Sequence, residues 1–62
     1  MCLSTVYTLG REKPELLCKN IADVRTRDGK LVFTDIMGVT TVVDASIERI
    51  DLMDNFIWIR EN

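Results

Sequence analysis

The chain has 62 residues, 47% of them hydrophobic, and its eight Lys/Arg against ten Asp/Glu give a net charge of −2. That length holds one domain, residues 1–62, with a core so small that such chains commonly rely on a metal, a cross-link or a partner subunit. The acidic balance and the scatter of basic residues from Arg11 to Arg60 weigh against nucleic-acid binding, which asks for a basic face. No apolar run approaches the roughly 20 residues of a membrane helix, and none follows a basic leader as in a signal peptide. A cytoplasmic protein with no membrane contact is expected.

Turn signals divide the chain into short apolar runs. Residues 2–9 read as a first strand, closed by the polar segment 11–15 with the single proline, Pro14. Residues 16–18 and 21–26 follow as two strands around a Lys19-Asn20 turn. Asp28-Gly29 predicts a type I′ hairpin, because both residues tolerate positive φ. Residues 30–36 and 39–43 are strands flanking a turn at Gly38. Residues 44–52 place Ile47 and Ile50 three apart, as a helix would, but Ile50 and Leu52 resume alternation; a strand bent near Glu48 is expected. Asp54-Asn55 marks a last turn before strand 56–60. Val, Ile, Thr and aromatic residues suit these segments to a pleated surface, and many short strands at close spacing predict an all-β fold, a small barrel or sandwich.

Alternation along the strands exposes a difficulty. In the last strand Phe56 and Trp58 share one face, and Ile57 and Ile59 share the other. In the strand after the hairpin, Val32, Thr34 and Ile36 oppose Leu31 and Phe33. A single layer cannot cover both faces, so either a closed barrel or a second chain must do so, and a C2 homodimer is the default. Phe33 is expected in the core; Trp58 suits core or interface equally.

The chain has no histidine. The commonest general base and transition-metal ligand are therefore missing, and there is no CxxC, phosphate loop or metalloprotease spacing. No enzyme activity is expected and no catalytic residue is assigned. The two cysteines, Cys2 and Cys18, lie too far apart in sequence for a zinc ribbon and are expected reduced in the cytoplasm. Cys18 follows Leu16-Leu17 and reads as core. Cys2 has two readings. A cysteine there can simply be a small buried apolar residue. Alternatively its thiolate, with the amine or an amide nitrogen beside it, can chelate a metal. Two such chain starts at a dimer axis would supply four or more donors, a set suited to Ni(II) or Cu(II) if flat and to zinc if tetrahedral.

The opening "MC", the stretch "NIADVRTRDGKLVFTDIMG" and the close "IERIDLMDNFIWI" together resemble the CooT family of small nickel-binding proteins linked to carbon monoxide dehydrogenase maturation. The resemblance implies an SH3-like barrel of about six to seven short strands, homodimeric, with Ni(II) held by Cys2 of both chains. It implies a metallochaperone that delivers or stores nickel, partnered by itself and by a nickel enzyme or its maturation factors. Cys18 has no counterpart in that nickel pattern. The alternative is a small barrel that binds RNA or a protein partner, with Cys2 incidental.

Overall fold

The computed structural model describes residues 2–10 and 12–62. They form six strands and no helix: β1 (Ser4–Leu9), β2 (Pro14–Arg27), β3 (Lys30–Asp35), β4 (Thr40–Val43), β5 (Ala45–Asp51) and β6 (Phe56–Glu61). All six join one sheet in the order β4-β3-β2-β1-β6-β5. The all-β expectation holds. The sheet curls far enough for β3 to touch β5, while β4 and β5 stand at its two edges.

The turns form where the residues permit them. Asp28 and Gly29 take φ of +51° and +79°, the double positive φ of a type I′ turn, and this fixes the β2–β3 register at Arg27↔Lys30. Gly38 takes φ of +87° and Asn55 +60° in the two later turns. In β5 the register shifts between Ile47 and Arg49, so Glu48 is the extra residue of a bulge and the expected bend is present.

β2 corrects the sequence reading. Two short strands with a turn between them are instead one 14-residue strand. Asn20 does take the left-handed conformation, with φ of +60°, but asparagine accommodates this as a bulge inside a continuous strand. The ladder with β1 slips on either side of Val6, and the ladder with β3 slips between Ile21 and Asp23. β2 therefore bends, giving its first half to β1 and its second half to β3. The expected 11–15 turn is shorter as well: Pro14 and Glu15 already belong to β2, proline being tolerated at a strand's first position. Arg11 lies outside the described residues.

The core is Val6, Ile21, Leu31, Phe33, Ala45, Ile57 and Ile59, with Leu17, Cys18 and Val43 packed against it. Phe33, Ile59 and Val6 are fully buried. Period-2 alternation explains the set: Leu31 and Phe33 point inward from β3, as do Ile57 and Ile59 from β6. The opposite face of β6 carries Phe56 and Trp58, half-buried. Phe56 sits 5.7 Å from the Tyr7 ring and 5.6 Å from Trp58, and the Arg49 guanidinium covers Trp58 at 4.9 Å. Trp58 is therefore outside the core, in an aromatic row on the outer surface.

Candidate functional site

Register carries a continuous line across the sheet. Thr40 faces Thr34, Asp35 faces Ile21, Ile21 faces Ser4, Thr5 faces Phe56 and Phe56 faces Asp51. Residues 2–3 and the β5–β6 turn lie just past this line on one side, whereas β2 crosses it at mid-strand and the β3–β4 turn passes it on the other side, beside Asn20. Backbone hydrogen bonds fasten each turn to a neighbouring strand: Thr5 N donates to Asn55 O at 2.9 Å and Ile36 N to Asn20 O at 2.9 Å. Parallel pairing of β1 with β6 thus brings the start of the chain beside a turn about 50 residues later in sequence.

Cys2 is exposed beside the start of β1, two residues ahead of the strand, with a free thiol. Cys18 is elsewhere. It faces Val6 in the β1–β2 ladder, is half-buried and packs against the core. Desolvation, and secondarily the Asp35 carboxylate, push its thiol pKa up, which keeps it protonated and a poor metal ligand at neutral pH. The core reading of Cys18 holds.

Among the described residues no three His, Cys, Asp or Glu side chains gather closely enough to hold a metal ion. Beside Cys2, backbone nitrogen, water and a second copy are the further sources of donors for a metal. The donor set fits such an ion to that extent: an exposed thiolate is a soft ligand, and a neighbouring amide nitrogen can close a chelate ring with it. A groove lined by Thr8, Leu9, Glu15, Arg60 and Glu61 lies at the far ends of β1 and β6, away from Cys2.

The β3–β4 and β5–β6 turns share a design that the sequence reading missed. Each begins Asp-apolar-Met: Asp35-Ile36-Met37 and Asp51-Leu52-Met53. In the first, Asp35 Oδ1 accepts hydrogen bonds from Met37 N and Val39 N, both 2.9 Å. In the second, Asp51 Oδ1 accepts from Met53 N and Asp54 N, both 3.0 Å. The carboxylates turn back on their own backbones and hold the loops in one shape. What the loops display is apolar: Met37 is 84% exposed, Leu52 84% and Met53 89%. The repeated Asp-[Ile/Leu]-Met triplet was the available signal.

No helix here is long and apolar enough to cross a membrane. The comparison with curated protein sequences found no match. The fold is similar to the crystal structure of a protein assigned as CooT from Carboxydothermus hydrogenoformans, with a TM-score of 0.91, 23% identity and 98% of each chain covered. A family model described as CO dehydrogenase accessory protein CooT matches residues 1–60. Nearly the whole sequence, from before Cys2 to the end of β6, thus fits one family pattern, and the chain belongs to the CooT family of CO dehydrogenase accessory proteins.

Proposed function

We propose that this chain serves carbon monoxide dehydrogenase by handling its nickel, through the Cys2 thiolates of two copies that share one Ni(II). The observation that carries this reading is the placement of Cys2: a free, exposed thiol just ahead of β1, in a chain without histidine and, among its described residues, without a rival cluster of ligating side chains. A single thiolate is too few donors for a stable site. Two thiolates with adjacent backbone nitrogens make the flat S/N array that Ni(II) accepts. The ion is cargo, carried to or stored for the enzyme, and the protein performs no reaction on it. Uptake depends on pH because the thiols must lose their protons to the metal.

Native mass spectrometry of the protein with added Ni(II) tests this. The expected result is one Ni(II) per two chains for the wild type and none for Cys2→Ser. Stoichiometric nickel in the Cys2→Ser variant removes Cys2 as the ligand, and one Ni(II) per monomer removes the shared site.

A further inference from the structure

We infer that the open edge of β4 receives an extended segment of another protein, carrying acidic side chains, as an added strand of the sheet. Cys2 takes no part in it.

β4 is one of the two edges, and the register tells which of its backbone groups are unpaired. Asp35 N donates to Val39 O at 2.9 Å, so this pair bonds across the β3–β4 ladder. Alternation along an antiparallel ladder then gives the next bonds to Phe33↔Thr41 and Leu31↔Val43. Thr40 and Val42, the residues between, turn their N–H and C=O groups away from β3, and no strand lies beyond them. The edge is bounded at both ends. The Asp35-capped turn closes one. At the other, Asn62 N and Nδ2 donate to Asp44 O and Oδ1 at 3.0 and 2.7 Å.

The opposite edge is guarded. β5 carries a bulge at Glu48 and two ion pairs, Arg60–Glu48 at 3.4 Å and Arg49–Asp51 at 3.3 Å, devices that keep foreign strands away. β4 has neither. Residues 39–43 are Val-Thr-Thr-Val-Val, all β-branched, and residues 36–43 include no charge and no proline. Ile36, Met37, Val39 and Val42 are 58–84% exposed. Such an edge left bare is an aggregation hazard. A strand laid along it satisfies the backbone and covers the side chains, as in other cases of strand addition.

The charges around the edge select an acidic occupant. The nearby acids are engaged: Asp35 binds its own turn, Asp44 accepts from Asn62 and Asp23 pairs with Arg25 at 2.9 Å. Arg27 and Lys30, by contrast, face each other in the β2–β3 ladder, both exposed, and neither joins an ion pair among the described residues. Like charges set directly opposite are unfavourable, and only Asp28 at the hairpin tip lies between them in sequence. Lys30 lies beside the Val43 end of β4. A strand added on the far side of β4 runs roughly 9.5 Å from β3, a span that a lysine and a glutamate side chain bridge together.

The test uses amide NMR on the full-length chain with the peptide acetyl-Glu-Val-Thr-Val-Glu-amide. Two control peptides accompany it, one methylated at its valine and threonine nitrogens and one with lysine in place of glutamate. The Thr40 and Val42 amides are expected to shift saturably with the acidic peptide and with neither control. Val42→Pro removes an outward N–H and leaves the bonds to β3, as proline on an edge strand allows. It is expected to weaken binding at least about tenfold with an unchanged circular dichroism spectrum. Should Val42→Pro not fold, the methylated peptide on the wild type decides alone. Shifts centred elsewhere, no saturable shift at Thr40 and Val42, or equal binding of the methylated peptide or by Val42→Pro overturns strand addition. Equal binding of the lysine peptide overturns the acidic assignment.

Discussion

Asp51→Ala is expected to lower the melting temperature by about 5–15 °C, and the structure indicates which of two interactions is responsible. Asp51 Oδ1 caps Met53 N and Asp54 N at 3.0 Å. Asp51 Oδ2 faces the Arg49 guanidinium at 3.3 Å, with Arg49 65% and Asp51 18% exposed. An ion pair with so exposed a partner contributes little, about 0–1 kcal/mol. A side-chain oxygen that satisfies two otherwise unpaired backbone N–H groups resembles a helix cap, where truncation to alanine costs about 0.5–2 kcal/mol. The cap therefore outweighs the ion pair, and together they contribute about 1–2 kcal/mol. For a chain of this size each kcal/mol moves the melting temperature by about 4–8 °C. Asp51→Asn keeps the acceptor oxygen and discards the charge, so it is expected to restore all but a few degrees of the loss. Thermal melts of the two variants at low and high salt decide the matter. If Asp51→Asn falls as far as Asp51→Ala, or if salt erases the difference between wild type and alanine variant, the charge rather than the cap holds the turn and the reasoning is wrong.

Phe33→Ala empties a fully buried position in a core of seven buried residues and costs about 3–5 kcal/mol. A domain this small has roughly 3–9 kcal/mol in total, so a urea titration should find the variant unfolded or with its midpoint at least halved; a midpoint near wild type would contradict the packing described. Cys18 yields a pH signature. Its pKa in the fold is raised by desolvation and then by Asp35, above an ordinary value of about 8.5. The fold thus binds the thiol proton more tightly than the unfolded chain does, and this contribution is whole below the unfolded pKa and lost as pH climbs through the folded one. The stability gap between wild type and Cys18→Ala, measured by urea unfolding from pH 7.5 to 10, should narrow; a constant or widening gap refutes the burial argument.

Much of the fold was legible in short-range signals. The hairpin followed from Asp28-Gly29, the bend of β5 from the broken alternation around Glu48, and the inward face of β6 from Ile57 and Ile59. These depend on neighbouring residues and on strand period, which a sequence displays directly. β2 was misread because Asn20 satisfies two outcomes equally well: the same left-handed conformation closes a turn or bulges a strand, and only the competing ladders with β1 and β3 decide between them. Trp58 was ambiguous for a related reason, since alternation gives its face but not whether that face is inside. Cys2 could be singled out by residue type alone. Its neighbours could not, because the parallel β1–β6 ladder that sets Asn55 beside Thr5 joins residues about fifty apart. The paired Asp caps were visible as a repeated triplet, but nothing local reveals that each carboxylate turns back to accept two hydrogen bonds from its own loop.

The central seat of β1 between β2 and β6 has a consequence for biosynthesis. β1 emerges first, yet one of its two ladders waits for β6, the latest strand to be made, and such long-range closure is slow. Until then β1 is an open apolar edge, exposed to mispairing with other nascent chains. The strand that follows Cys2 therefore completes its pairing only once β6 has joined it, and until then the Cys2 thiol sits on a loosely held chain start.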